Sequence, residues 1–206
     1  MKNLNTSINA KKILMSILLV IAIPVAIYFL TFKAFPKLII SEANYGEYYM
    51  ERAGWLFTHA LFGISATLLG PFQFISRLRN KNLKLHRNLG KVYLVSVLVS
   101  SLTAVYLAFT SEVSLSYTVG LFVLAILWLL SGARAYQLIR NRQINKHKEW
   151  MIRNYVITFF FILFVSISDA FKLAGVADLE MVLSVLAWAS WIVPLSIAEY
   201  FIQRAR

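Results

Sequence analysis

The chain has 206 residues, of which 59% are hydrophobic and only 15% are charged, and its mean hydropathy is +0.67. Soluble domains carry about 25% charged residues, so this composition excludes an ordinary soluble domain. Cysteine is absent, which excludes disulfides, thiolate metal sites and thiol redox chemistry. The formal net charge of +12 at pH 7 requires strongly basic connections between apolar segments.

Six apolar runs have the length that a hydrocarbon core of about 30 Å requires, roughly 20 residues each. They cover about residues 13–32, 55–74, 92–109, 117–138, 151–171 and 181–201. The connections between them are mostly short, which favours antiparallel neighbours in an up-down bundle. None can hold a soluble domain, so we predict a single membrane-embedded domain over residues 1–206, an all-α polytopic transmembrane bundle of six helices.

The first run resembles a signal peptide because three lysines precede it. It is too long for that role and no small-x-small cleavage pattern follows it, so we interpret it as the first helix, kinked at Pro24. In the segment 33–54 that follows, Ser41 precedes a helix-compatible stretch, which predicts a short helix at the interface. Tyrosine prefers the headgroup level, so the tyrosines of this segment favour an anchoring role over a lid.

Lysine and arginine are unevenly distributed between the two sides of the predicted bundle. One side holds 17 of the 21 basic residues, whereas the other holds four, mixed with six acidic residues. By the positive-inside rule both termini are predicted to be cytoplasmic, in the cell (inner) membrane. No motif for nucleic-acid binding accompanies this charge, so we predict no nucleic-acid partner and interpret the charge as attraction to anionic membrane lipids.

A histidine and several small residues share one face of the second predicted helix. His59, Gly63, Ala66, Thr67 and Gly70 recur at helical spacing. Small residues allow another helix, or a flat ligand, to approach the backbone closely. Helix packing is the simpler interpretation, but an ionisable side chain below the interface usually faces the bundle interior and marks a functional position or a pairing.

Asp169, on the fifth predicted helix, is placed at a depth similar to that of His59. Lys172 lies three residues nearer the membrane surface. Two interpretations stay open: an ion pair between Asp169 and Lys172, or a hydrogen bond from Asp169 that sets the tautomer of His59. One histidine and one carboxylate are too few for a closed zinc site, which needs four ligands, so no metal site is predicted.

Two related strings open the third and fifth predicted helices at the basic side. Arg87 directly follows His86, and Arg153 lies six residues after His147. If these helices are neighbours, the two imidazoles are a possible ligand pair for a haem iron or an exposed divalent metal. The alternative is that these residues anchor the helices by binding lipid phosphates.

Two charged residues of the fourth and sixth predicted helices also fall near the basic side. Arg134 and Glu199 are placed to form a buried ion pair that braces the two helices. Removal of one partner of such a pair costs about 3–5 kcal/mol, so the pair can be structural without any catalytic role.

Three strings, HALFGISATLLGPFQF, LHRNLGKVYL and HKEWMIRNY, resemble a family of small bacterial predicted membrane proteins known only as a domain of unknown function. The resemblance runs from about Trp55 to Phe171, over the second to fifth predicted helices. It implies the fold of a multi-pass membrane protein and no particular activity. The residues that carry it are His59, Gly70, Pro71, Gln73, His86, Arg87, Gly90, Tyr93, His147, Trp150, Met151 and Arg153.

Two classes of function stay open. The first is a non-enzymatic membrane component: a small carrier, a lipid-interacting protein, or an assembly partner of another protein or of a second copy. The alternative is a redox protein that binds haem b or acts with a quinone, using His86 and His147. No nucleophile elbow and no phosphate-binding glycine loop points to an enzyme. We predict an integral membrane protein of unknown molecular function and leave catalysis open.

Overall fold

A computed structural model describes residues 24–205 of the chain. This part is almost entirely helical and contains no strand, so the prediction of an all-α fold is confirmed. The helical elements are α1 (Pro24–Leu38), α2 (Glu42–Met50), α3 (Ala53–Phe74), α4 (Ser76–Lys81), α5 (Leu83–Phe109), α6 (Leu115–Arg140), α7 (Ile144–Thr158), α8 (Phe160–Leu173) and α9 (Leu179–Arg204).

In the described part, five helices are long and apolar enough to cross a membrane: α3, α5, α6, the continuous pair α7–α8, and α9. The segments α1 and α2 would form a sixth if the pair, bent by 63°, is one span. Residues 1–23 lie outside the described residues. They include most of the predicted first span, up to its predicted kink at Pro24. Each of the other five predicted spans lies within one of these five helices.

The helices extend beyond the predicted apolar runs, and polar side chains cap the first turns of α5, α6 and α9. Asn82 accepts a hydrogen bond from the N–H of Leu85 at 2.9 Å, so α5 begins nine residues before the predicted span. Such caps satisfy backbone N–H groups that have no partner within the helix. In consequence His86 lies inside the first turns of α5 rather than before the helix. His147 lies inside α7, which begins at Ile144 without a side-chain cap.

The bundle is antiparallel, and α6 lies at its centre, in contact with α5, α7 and α9. Tyr93 and Phe160 are among the largest fully buried side chains of the core. By contrast, large apolar side chains such as Leu102 and Val185 are more than half exposed on the outer surface. An exposed apolar belt of this kind is what a hydrocarbon surrounding would cover.

The two ends of the bundle differ in composition. We call the end that carries α4 and the turn at residues 141–143 the basic end. The opposite end carries α1, α2 and the turns at residues 110–114 and 174–178. There α2 begins as predicted, with Ser41 accepting a hydrogen bond from the N–H of Asn44 at 3.4 Å.

The tyrosines of α2 hold this segment against the protein. Tyr45 is only 3% exposed, and its hydroxyl donates to the carbonyl of Lys37 at 2.5 Å. The hydroxyl of Tyr48 donates to the carbonyl of Thr110, at the turn between α5 and α6. Because these hydroxyls are bound to backbone groups, the predicted headgroup-anchoring role is wrong for Tyr45, which packs inside the fold.

The small residues of α3 pack against neighbouring helices, which confirms the simpler interpretation of that face. A Cβ atom on Gly63 would lie 3.3 Å from Oγ of Ser100 on α5. A Cβ atom on Gly70 would lie 2.0 Å from Cε2 of Tyr155 on α7. Ala66 is fully buried between these two contacts. The glycines therefore allow α3 to approach both helices closely.

Candidate functional site

A cavity of about 420 Å³ lies near the opposite end, between α1, α3 and α8. Small-molecule sites in proteins usually have volumes of about 300–1,000 Å³. Its walls are mainly apolar, and its polar groups include both His59 and Asp169. The apolar lining includes Phe29, Leu56, Ile64, Phe161, Phe164 and Leu183, and the polar lining includes Lys33, Lys37, Tyr49, His59, Thr67, Asp169 and Lys172.

His59 is held by the backbone and side chain of Ser100 rather than by Asp169. Its Nδ1 lies 3.0 Å from the carbonyl oxygen of Ser100 and 3.1 Å from Oγ of the same residue. The Ser100 hydroxyl donates in turn to the carbonyl of His59 at 3.0 Å. A carbonyl oxygen can only accept, so Nδ1 carries the proton of this hydrogen bond. The predicted hydrogen bond between His59 and Asp169 is therefore wrong.

The separation of His59 from Asp169 follows from helix geometry. The His59 ring packs edge-to-face on Phe161, with ring centroids 5.5 Å apart. Phe161 and Asp169 are eight residues apart on α8, which corresponds to about 12 Å along the helix axis. The two polar groups thus line the same cavity at different depths. Asp169 lies toward the opposite end, and His59 lies nearer the bundle centre.

The carboxylate of Asp169 is paired with α1, not with its own helix. Nζ of Lys33 lies 2.7 Å from Oδ2 of Asp169, and the hydroxyl of Tyr28 donates to the same oxygen at 3.1 Å. The predicted pair with Lys172 is therefore wrong. Because α1 lies across the end of α8, it brings a lysine and a tyrosine to the carboxylate at once, whereas Lys172 stays exposed.

Lys33 and Lys37 lie at the cavity mouth, before the first of the five long helices, and their surroundings differ. The hydrogen bond to Asp169 raises the pKa of Lys33. Burial, and then the charge of Lys33, lower the pKa of Lys37. Lys37 donates to the carbonyl of Asn44 and forms no ion pair with any carboxylate of the described chain. With Lys172 also at the mouth, positive charge exceeds negative charge there.

At the basic end, His86 lies in the first turns of α5 and His147 in the first turn of α7. Nδ1 of His147 donates to the carbonyl of Ala135 at 2.8 Å, so its Nε2 is the nitrogen left for a ligand. Nδ1 of His86 is buried and has no hydrogen-bond partner among the described residues. Arg87 is exposed beside it.

Gln73 is a second polar group near His86 with an unused hydrogen-bonding atom. Its Nε2 is buried and has no hydrogen-bond partner in the described chain. Its Oε1 would lie 2.9 Å from a Cβ atom on Gly90, which is one turn from His86 on α5. In the described part of the chain no group of three or more His, Cys, Asp and Glu side chains is arranged to hold a metal ion.

The ion pair of Glu199 is formed by Arg153 instead of Arg134, so that part of the sequence prediction is wrong. Nε and Nη2 of Arg153 lie 2.8 and 2.7 Å from Oε2 of Glu199, and Nη1 lies 3.7 Å from Glu149. Arg134 donates instead to Oε1 of Gln137 at 2.6 Å. The two arginines come from different helices, and it is α7 that brings Arg153 to α9.

A buried polar network in the bundle centre was not recognised from the sequence. Tyr93 donates to Oδ1 of Asn154 at 2.6 Å, and Nδ2 of Asn154 donates to the carbonyl of Trp128 at 2.9 Å and to Oγ of Ser131 at 2.8 Å. Nε1 of Trp128 donates to Oγ1 of Thr158 at 2.8 Å. Asn154 and Thr158, spaced four residues apart within an apolar run, are the signal that reveals such a network.

The network also closes the inner part of the cavity. Trp128 and Thr158 both line it, and their polar atoms are bound to each other and to Asn154. Fully satisfied buried networks give rigidity, because each group fixes the orientation of the next. The cavity therefore combines a rigid inner wall with a charged mouth.

Comparison with known proteins places the chain in a family. Residues 56–202 match the family model described as "Predicted membrane protein (DUF2306)". The match covers the region of the resemblance seen in the sequence and continues through α9. No curated protein and no solved structure matches the chain. The match contains helices α3 to α9 almost entirely. The chain therefore belongs to the DUF2306 family of predicted membrane proteins, whose function is unknown.

Proposed function

We propose that this protein is a non-enzymatic membrane component that binds a small amphiphilic molecule with an anionic head in the 420 Å³ cavity. The observation that carries the proposal is the combination of apolar walls with three lysines and a single aspartate at the mouth. A carrier of such molecules needs this combination, because the apolar body must leave water while the charged head stays near the surface.

The charge distribution favours an anionic head over a cationic or neutral one. Asp169 is already neutralised by Lys33 and bound by Tyr28. Lys37 and Lys172 remain as cations that no described carboxylate pairs with. A carboxylate or phosphate at the mouth would supply the missing opposite charge, and charge-assisted hydrogen bonds are the strong ones.

Replacement of Lys37 should weaken the binding of an anionic amphiphile. We expect Lys37→Gln to reduce the affinity for oleate by about tenfold or more, because a hydrogen bond to a charged group contributes about 1.5–3 kcal/mol. The measurement is oleate binding to the purified chain in nanodiscs. The exposed Lys84→Gln at the basic end is the matched control. Equal affinities of the two variants would contradict the proposal.

The pH dependence gives the same test without removing a side chain. The pKa of Lys37 is lowered by burial, so Lys37 loses its proton at a lower pH than an ordinary lysine. Affinity for oleate should be full below this pKa and should fall as the pH rises through it. Lys37→Arg keeps its charge over this range and should remove the fall.

We also propose the orientation that the positive-inside rule predicts, with both termini and the basic end in the cytoplasm and the cavity opening on the outer side of the inner membrane. The absence of cysteine allows a direct test. A membrane-impermeant maleimide should label Glu112→Cys, at the opposite end, in intact cells. Asn141→Cys, at the basic end, should be labelled only after lysis. The reverse pattern would place the cavity on the cytoplasmic side.

The second candidate function is haem binding or quinone-linked redox chemistry at His86 and His147. It is favoured by the hydrogen bond of His147 to Ala135, which leaves Nε2 as a ligand atom, and by the unpartnered Nδ1 of His86. Purified protein from haem-supplied cells should then show a Soret band that His86→Ala and His147→Ala remove. Absence of the band from the wild type would dismiss haem binding at these histidines.

A further inference from the structure

The imidazole of His59 offers a single type of hydrogen bond to the cavity. Its Nδ1–H is used by the carbonyl of Ser100, and no described carboxylate forms an ion pair with the ring. A charged imidazole in such apolar surroundings would be costly, so the ring is neutral and Nε2 carries a lone pair. Nε2 has no hydrogen-bond partner among the described residues. His59 can therefore accept a hydrogen bond but cannot donate one there.

Nε2 of His59 is not fully enclosed by protein atoms. His59 lines the 420 Å³ cavity and also a smaller one of about 110 Å³, and Leu56, Trp128 and Phe161 border both. The imidazole thus lies where the two spaces meet. A molecule that fills the larger cavity passes this nitrogen.

The polar groups nearest in the cavity wall are already bound to the protein. The hydroxyl of Thr67 donates to the carbonyl of Gly63 at 2.9 Å. Nε1 of Trp128 donates to Thr158, whose own hydroxyl donates to the carbonyl of Asn154 at 2.9 Å. None of these donors is available to His59, and Tyr49, which also lines both spaces, forms no hydrogen bond with it. Nε2 is therefore free for a donor from the occupant of the cavity.

We propose that the ligand of this cavity is a hydroxylated anionic amphiphile, whose head binds at Lys37 and whose hydroxyl donates to Nε2 of His59. This inference rests on the proposed function and deepens it. The levels of Asp169 and Phe161 on α8 are about 12 Å apart. The hydroxyl therefore belongs well along the apolar body of the ligand, as in a long-chain hydroxy fatty acid, and not beside the head.

The test compares three probes that share a head and a chain: ricinoleate, its O-methyl ether and oleate. The full chain in nanodiscs should bind ricinoleate about tenfold more tightly than either of the other two, because only ricinoleate has a donor for Nε2. His59→Phe should bind all three probes alike, because it removes the acceptor for the hydroxyl. His59→Gln, whose amide oxygen still accepts, should keep part of the preference for ricinoleate.

The possible failures are distinguishable. If none of the three probes binds to the wild type, the proposed function fails. If all three bind equally, the cavity binds amphiphiles but the role of His59 is wrong, and a water molecule supplies the donor. The tautomer is tested separately by nitrogen NMR of labelled histidine in the ligand-free chain. A proton on Nε2 of His59 would overturn the inference without affecting the binding of oleate.

Discussion

Asn154→Leu should destabilise the protein by about 3 kcal/mol. The side chain of Asn154 is fully buried and joins α7 to α5 and α6 through Tyr93, Trp128 and Ser131. The leucine side chain has the same branched arrangement of four heavy atoms, so the loss is mainly that of hydrogen bonds. Interhelical hydrogen bonds in membranes contribute roughly 0.6–2 kcal/mol each, and donors left unpaired add to the cost. The measurement is reversible unfolding of the purified chain in mixed detergent micelles.

Ser166→Ala is the matched control for this substitution. Oγ of Ser166 is also buried in the bundle, but it has no hydrogen-bond partner among the described residues. Its removal should leave stability unchanged or slightly increased. Tyr93→Phe should cost less than Asn154→Leu, and the double substitution should cost less than the sum of the two, because both remove the same hydrogen bond. If Asn154→Leu proves as stable as Ser166→Ala, the network does not hold the helices together.

Gly70→Ala should destabilise the protein by about 2 kcal/mol. The new Cβ atom would lie 2.0 and 2.3 Å from Cε2 and Cδ2 of Tyr155, far inside contact distance. The ring cannot move freely, because its hydroxyl donates to the carbonyl of Thr67 at 3.2 Å and its face packs near Phe74. Overpacking of a well-packed interior costs about 1–3 kcal/mol. Thermal unfolding measures the loss.

Gly54→Ala, on the same helix, separates this clash from any general effect of the substitution. A Cβ atom on Gly54 would meet nothing within 4 Å. Because alanine favours a helix over glycine, this variant should be as stable as the wild type or more stable. Tyr155→Leu should recover part of the stability that Gly70→Ala loses. Similar losses for the two alanine variants would contradict the close approach of α3 and α7.

The spans could be predicted from the sequence, whereas the helix ends could not. An apolar run of membrane length has few alternatives to a spanning helix, since backbone groups in hydrocarbon must be satisfied internally. The ends are set by local capping. Asn82 begins α5 within a stretch too polar to count as a span, and this moved His86 from a loop into the helix.

The residues of the candidate site were found from their depth, but their partners were not. His59 and Asp169 do line one cavity, but at different depths rather than at the similar depth that the sequence predicted. Each, however, binds a residue of another helix: Ser100 for His59 and Lys33 for Asp169. The predicted pair of Asp169 with Lys172 failed because α1 packs across Asp169 and presents a better partner than its chain neighbour. The predicted pair of Arg134 with Glu199 failed because α7, and not α6, presents its arginine to α9.

The sequence by itself determined that this protein is a helical membrane protein, which segments are long and apolar enough to cross a membrane, and which few polar residues lie within them. These properties follow from the length and polarity of contiguous segments, which do not depend on how the helices pack. Only the tertiary structure decided that His59 is fixed by Ser100, that α1 brings Lys33 to Asp169, and that Asn154 joins three helices. Such contacts depend on the rotation and tilt of helices far apart in the chain, which hydrophobic patterns alone do not set.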